Sequence, residues 1–400
     1  MKSASLLNYF TGVVSKQLSS VECDPDASHQ HEFNGSAQLK ELLGAVTGTQ
    51  KIPFKTVFMY FNDTRNENFS DIGQVTWYDA RAKSSSRTGR SEYRLYFSDS
   101  PVIEYAKAND LLILAKRPDK TLIVIIAEHN STIEKQLIYL FNLNPGNTEF
   151  TKPRSIRKLD FVASYILKEI GIEVDTADDS LLDGLLSRFN GEFPKTNEFS
   201  DYARETMFSS VDLLNDPDKG LIAFLEREEV LFKTLEKHLI IPILRKGFED
   251  NVDAFVDFSL KVQNRRKMRA GMALENHLSY IFSANKVNYS ANVITENKSR
   301  PDFIFPGIAE YRNNKFPANR LKMLGAKTTC KDRWRQVLSE AKRIRTKHLF
   351  TLEPGISENQ TDEMKSKHLS LVVPRAIFPT YSNKQQSWLI DLKNFINIVK

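Results

Sequence analysis

The sequence has little cysteine, no long apolar run and no large excess of one charge, and each shortage removes a class of protein. Two cysteines in 400 residues, Cys23 and Cys330, cannot build a disulfide framework. That sparseness suits a reducing compartment, and a cytoplasmic location is expected. No stretch approaches the roughly 20 apolar residues needed to cross a bilayer. The opening MKSASLLNYFTGVV lacks the sustained apolar core and small-residue cleavage site of a secretory leader. A soluble chain that meets no membrane is therefore expected. The charge balance, 56 Lys and Arg against 50 Asp and Glu for a net +6, permits a polyanionic partner without demonstrating one.

What is present divides in two. A hydrophobic content of 41% over 400 residues is too much for one ordinary core. From Leu6 to about Asn144 short runs rich in β-branched and aromatic residues alternate with polar turns: Thr56 to Phe61, Val75 to Ala80, Glu92 to Phe97 and Leu111 to Lys116. Thr121 to Glu128 is apolar throughout and reads as a central strand, while Ala37 to Gly44 reads as a helix ended by glycine. A mainly-β barrel or sandwich over 1–147 follows. Residues 148–192 begin within the turn-rich NPGNTEFTKPRS, Asn144 to Ser155, and carry helical pieces at Leu159 to Ile170 and Ser180 to Phe189, which makes them a connector. From 193 to 400 helices come first, including Leu221 to Leu244, which Pro242 should limit, and Gly271 to Phe282. Strands and helices then alternate, as a mixed α/β core requires.

The second half holds the residues that suggest chemistry. PDFIFP, Pro301 to Pro306, is a short apolar run between prolines with Asp302 at its start. Met323 to Thr328 is a second strand carrying Lys327 among small and apolar neighbours. A carboxylate and an ammonium on adjacent strands suit phosphodiester hydrolysis, the first holding a hard cation and the second placing water and stabilising charge. The position two residues before the lysine, where a second acid is common in nucleases of the PD-(D/E)XK group, is Gly325. A helix bearing Trp334, Val337, Leu338, Ala341 and Ile344 as its buried stripe is expected to return Glu340 in place of that acid. Asp302 and Glu340 would then be the metal ligands, with Mg²⁺ the natural ion because it keeps several waters. Glu275, at the border of an apolar helix face, can turn toward the same strands.

Candidate nucleic-acid contacts lie in both halves. Lys331, Asp332 and Arg333 follow the lysine strand; basic groups donate to guanine O6 and N7, and a carboxylate accepts from the cytosine amino group. Arg265, Arg266 and Arg269 form a basic cluster upstream. In the first half, Arg81, Lys83, Arg87 and Arg90 sit without an acid on a Ser- and Gly-rich loop, with Arg94 in the strand beyond it. The stretch Cys23 to Gly35 has no second cysteine to complete a zinc pattern. Its His29, Gln30, His31, Glu32 and Asn34 offer donors and acceptors to base edges instead.

Two resemblances rest on these residues. KQLSSVECDPDASHQHEFNG followed by strands and a basic loop looks like the B-three-like pseudobarrel at the front of EcoRII-type restriction enzymes. That likeness implies DNA binding by two arms, one near Lys16 and His29 to Asn34, the other Arg81 to Arg94. NRRKMRAG, ALENHL, ITENKSRPDFIFP, KMLGAKTTCKDRWRQVLSEA and HLFTL are similar in order and spacing to the catalytic domain of EcoRII-like Type II restriction endonucleases. The resemblance implies an α/β restriction-endonuclease-like domain with a mixed central sheet, a metal site of Asp302, Lys327 and Glu340, and catalytic roles for Glu275 and Tyr311. It implies Lys331 to Arg333 as base readers and Mg²⁺-dependent cutting of double-stranded DNA at a short site of the CCWGG kind. It further implies a homodimer, a front domain that restrains the nuclease, and a cognate DNA methyltransferase that protects host DNA. The competing expectation is a non-cleaving DNA-binding regulator that uses its C-terminal domain as a dimerisation scaffold.

Overall fold

The computed structural model describes residues 5–23, 31–63, 69–82, 91–154, 159–207, 211–330 and 333–400. The chain divides into two compact units, Met1–Ile166 with Gly355–Glu358, and Leu167–Pro354 with Asn359–Lys400.

The first unit is mainly β. Its seven strands are β1 (Gly12–Gln17), β2 (Glu32–Asn34), β3 (Lys51–Phe61), β4 (Phe69–Asp79), β5 (Tyr93–Phe97), β6 (Leu111–Lys116) and β7 (Leu122–Ala127), in the spatial order β1-β6-β7-β3-β4-β5-β2. All neighbours run antiparallel except β3 and β7. β7 is buried at every position and lies inside the sheet, as its unbroken apolar run requires. Pro53 sits in β3, but the pairing with β7 starts only at Thr56, so the missing N–H falls outside that ladder. One face of the sheet gathers the core around Phe58, Trp77, Leu95, Leu112 and Val124. The Ala37–Leu43 helix ends at Gly44, whose φ of 103° is readily adopted only without a side chain.

The second unit puts long helices before a five-stranded sheet. The helix Pro217–Lys246 starts on an Asp216 cap with proline at its first position, and Val252–Ala284 starts on an Asn251 cap. The first runs through Pro242 rather than stopping there, because the sequence after it, Ile243 to Lys246, continues in helical geometry with Gly247 closing it. The sheet comprises β8 (Ser290–Ala291), β9 (Phe303–Phe305), β10 (Lys322–Lys327), β11 (Lys347–Thr351) and β12 (Leu369–Val372), ordered β12-β11-β10-β9-β8. β8, β9 and β10 pair antiparallel while β10, β11 and β12 pair parallel, so the sheet is mixed. Phe282 packs its ring edge-on against Phe303 and Phe305, each 5.3 Å between centroids, and so anchors the second long helix on β9. No helix among the described residues is long and apolar enough to cross a membrane.

Candidate active site

The register of two short strands builds the centre. β9 pairs antiparallel with β10 at Phe303 and Leu324, so the residue before β9 lies beside the end of β10. Asp302 occupies that place and is buried. Its Oδ2 accepts from the Ala326 backbone N–H at 2.6 Å and from Lys327 Nζ at 2.8 Å. The carboxylate is thus held by one fixed donor and one charged donor, and charge-assisted bonds of this kind are the strong ones. The lysine keeps 24% of its side chain exposed, so its ammonium remains reachable from solvent.

Two further carboxyls feel this pair. Glu275, on the Val252–Ala284 helix, accepts from Asn292 Nδ2 at 3.1 Å. Asn292 also donates its backbone N–H to the Asp302 carbonyl at 3.0 Å, which ties helix, β8–β9 turn and Asp302 together. Burial pushes the Glu275 carboxyl above its usual range; the charge of Asp302 adds to this, and Asn292 and Lys327 oppose it. Glu340 is pushed further, to about 7, by burial first and by Asp302 second, against the pull of Lys327 and Lys347. Its Oε2 is buried with no hydrogen-bond partner among the described residues. Two acids with raised carboxyls around a third form a field that a cation would relieve.

Glu340 does not stand on a helix as the stripe expectation has it. The helix spans only Trp334–Leu338, and Glu340 follows in the turn that leads to Ala341, whose φ is 45°. Trp334, Val337, Ala341 and Ile344 are buried all the same, because the turn folds under the sheet. Lys347, at the start of β11, fastens this turn by donating to the carbonyls of Ala341 at 3.1 Å and Ile344 at 2.8 Å. Its own ammonium is pulled below the ordinary range by burial. Sequence reading passed over Lys347; a lysine opening an apolar strand was the available signal.

Gly325 has a packing reason. A Cβ there would lie 3.0 Å from Val337 Cγ2 and 3.6 Å from Leu349 Cδ1. A side chain there would be tight against Val337, which would have to shift by a few tenths of an ångström to admit the acid common at this position.

Tyr311 is buried, and its hydroxyl donates to Glu296, 2.8 and 2.6 Å from the two carboxylate oxygens. Burial and that carboxylate push the phenol up to about 12, so it stays protonated and serves as a donor. The Arg343 backbone N–H reaches the same oxygen at 3.4 Å, and the Arg343 guanidinium donates to the carbonyls of Asn313 and Phe316. Tyr311 therefore braces the segment that follows Glu340.

Of the base-reading triplet, Lys331 and Asp332 lie outside the described residues, and Arg333 is exposed at the start of the Trp334–Leu338 helix. The Cys330 N–H before them is held by the buried carboxylate of Glu353, a partner that sequence reading missed.

The upstream basic cluster is largely turned inward. Arg266 forks onto Glu236, with Nε at 3.0 Å and Nη2 at 2.7 Å, and also approaches Glu173. Arg269 is buried and pairs with Glu228 and Glu229, while His277 completes that buried group with Nε2 2.9 Å from Glu228. These two arginines neutralise acids of the neighbouring helix, which corrects the expectation that they contact phosphate. Arg265 is exposed, with its guanidinium over the Phe193 ring at 4.2 Å.

In the first unit Lys16 is likewise removed from the surface: it is buried, 2.7 Å from Glu22, with its ammonium over Phe150. That corrects its place among the DNA contacts. The other described candidates do meet. Asn34 pairs with Arg94 across β2 and β5, and its Oδ1 accepts from that guanidinium. Glu32 accepts from the Tyr78 hydroxyl, Arg81 and Arg94 both pair with Glu92, and His31 stands exposed 3.5 Å from Asp99. His29, Gln30, Lys83, Arg87 and Arg90 lie outside the described residues.

Among the described residues no three His, Cys, Asp or Glu side chains come close enough to hold a metal ion by themselves. A cation at Asp302 and Glu340 would complete its shell with water and substrate oxygen, the habit of Mg²⁺.

Known proteins are similar to part of this chain. Residues 232–396 match the family model described as EcoRII C terminal. The Type II restriction enzyme EcoRII of Escherichia coli is 39% identical over 205 residues, 51% of this chain and 50% of the relative. The chain thus spans about half the length of the curated relative it matches. Among solved structures, metal-depleted Ecl18kI in complex with uncleaved, modified DNA aligns with 56% of this chain and 84% of its own, at 20% identity and a TM-score of 0.44. The restriction endonuclease PspGI in its substrate DNA complex aligns with 52% of this chain and 92% of its own, at 15% identity and a TM-score of 0.44.

Proposed function

We propose, from the premise that residues 232–396 are a domain of the EcoRII-C family, that this chain is a Type II restriction endonuclease. It hydrolyses phosphodiesters of double-stranded DNA at a short site of the CCWGG kind, as a homodimer, in a cell whose own DNA a cognate methyltransferase protects. The observation that carries the reading is Lys327 Nζ on Asp302 Oδ2 at 2.8 Å inside a field that also lifts Glu275 and Glu340.

Asp302 and Glu340 would hold Mg²⁺, which when bound supplies positive charge to a phosphoryl oxygen and acidifies water. The chain's own residues do the rest. Lys327 donates toward the attacking water and the charge that grows on the phosphorus centre. Glu275, through Asn292, fixes the backbone of Asp302. Tyr311 positions the turn that bears Glu340 rather than exchanging protons itself. Lys331, Asp332 and Arg333 read base pairs beside the cut.

The first unit, by the same reading, is a B-three-like effector domain. His29, Gln30, His31, Glu32, Asn34, Arg81, Lys83, Arg87, Arg90 and Arg94 meet a second DNA copy and restrain the nuclease until they do. Arg265 remains a phosphate contact within the catalytic domain.

Purified full-length protein with plasmid DNA and Mg²⁺ should give discrete fragments, and Lys327→Ala should cut at least about 100-fold more slowly in single turnover while binding the same DNA. Tight binding with no discrete fragments from any DNA would instead support the non-cleaving regulator. Fragment-end sequencing reports the site, and single-site against two-site substrates report the restraint.

A further inference from the structure

We infer that Glu296 and Lys347 are the positioning residues of the metal site: together they hold the turn that carries Glu340, one through its N–H groups and the other through its carbonyls, and so set how tightly the site binds its cation. This rests on the reading of Asp302 and Glu340 as the Mg²⁺ ligands and deepens it, by naming what fixes the second ligand.

Glu340 lacks the ordinary supports of a ligand. It lies beyond Leu338, the last residue of its helix, so no continuing helical ladder holds it, and its N–H reaches the Val337 carbonyl at 3.2 Å. Ala341 then takes a φ of 45°, a left-handed conformation that a residue with a Cβ keeps only where its surroundings impose it. The buried Oε2 of Glu340 has no hydrogen-bond partner among the described residues. The aim of the carboxylate is therefore inherited from the backbone of the turn.

Two charged side chains impose that backbone. Lys347 works on the carbonyls, its Nζ donating to Ala341 at 3.1 Å and to Ile344 at 2.8 Å. The sheet fixes the lysine in turn, through its N–H to the His368 carbonyl at 3.0 Å and its pairing with Leu369 of β12. Glu296 works on the N–H groups. Its carboxylate accepts from the Lys342 backbone N–H and from the Tyr311 hydroxyl, to which the Arg343 N–H donates at 3.4 Å. Both grips have an ionised partner, which makes them the strong kind. Glu296 itself stands on the connection between β8 and β9 that leads into Asp302, in a turn closed by the Thr295 N–H on the Ser299 carbonyl at 2.9 Å. One carboxylate thus ties the segment that bears the first ligand to the segment that bears the second. A site whose ligands are already held at their working separation spends less of its binding energy on ordering them.

Metal dependence of the full-length protein tests this apart from cleavage as such. In single-turnover cutting, Lys347→Met and Glu296→Ala should each raise the half-saturating Mg²⁺ concentration about 10- to 100-fold, and most of the lost rate should return at saturating Mg²⁺. Glu296→Gln keeps an acceptor for Tyr311 and Lys342 and should recover most of the metal affinity. A direct readout uses Lys327→Ala protein bound to DNA, with free Mn²⁺ followed by electron paramagnetic resonance: adding Lys347→Met or Glu296→Ala should weaken Mn²⁺ binding by a similar factor. If Lys347→Met does not fold, Glu296→Ala carries both measurements. Variants that melt lower but keep the wild-type metal dependence overturn the inference and leave the two residues a structural role alone. A Glu296→Gln protein as weak for metal as Glu296→Ala also overturns it. Failure of the site reading looks different: wild type then gives no Mg²⁺-dependent fragments, and Asp302→Ala leaves Mn²⁺ binding unchanged.

Discussion

Lys327 and Asp302 illustrate how much one pair of residues decides. The ammonium lies on the carboxylate because two strands are in register, and its chemistry follows from the field they share with Glu275 and Glu340. His348, in the neighbouring strand, shows the opposite use of burial. Its imidazole is enclosed beside the Phe395 ring, 5.2 Å between centroids, and burial pulls its pKa from 6.5 to about 4. A base whose folded pKa is depressed binds fewer protons when folded, so its stabilising neutrality is complete above pH 6.5 and is lost as pH falls toward 4. The loss should be on the order of 3 kcal/mol for a shift of this size. Urea unfolding at pH 7 and pH 4 measures it, and His348→Leu should flatten the difference; an equally steep decline in the variant would remove His348 as the cause.

At the scale of the element, the lysine strand and the short helix beyond it depend on one glycine. A side chain at position 325 of β10 would press on Val337, 3.0 Å from the Cβ it would add. Gly325→Glu therefore should not restore the acid found there in other nucleases. It should destabilise the domain by roughly 1–3 kcal/mol through overpacking, more if the carboxylate stays buried and charged. Thermal melting and a cleavage assay on the same preparation check this: a variant as stable as wild type and at least as active would show that the space is there. The strands and Asp302 were legible in the sequence, since an apolar run between prolines and a lysine among small residues are local patterns. The position of Glu340 was legible only as a residue, because a helix five residues long and a turn with Ala341 at positive φ are set by the sheet beneath them.

Across the whole molecule, the contacts proposed for the front domain and the proposed cutting site lie in different units, so their effects should separate under mutation. Arg81 and Arg94 converge on Glu92 in the first unit. Arg81→Ala with Arg94→Ala should weaken DNA binding and reduce the slope of log K against log salt by up to about two, near one for each phosphate no longer neutralised. Lys327→Ala should leave that slope unchanged. Titrations at several salt concentrations decide, and an unaltered slope in the double arginine variant would place the phosphate contacts elsewhere.

The sequence by itself determined what is periodic or contiguous: a mainly-β first half, a helical lead into an α/β second half, a carboxylate and a lysine at the ends of neighbouring strands, and an acid missing at Gly325. Tertiary structure alone decided the partners. Lys16, Arg266 and Arg269 read as free cations until folding brought Glu22, Glu236 and Glu228 against them. The reason is physical. Backbone pattern is set by near neighbours along the chain, whereas a charge is neutralised by whatever lies within a few ångströms, and only the completed fold determines which residue that is.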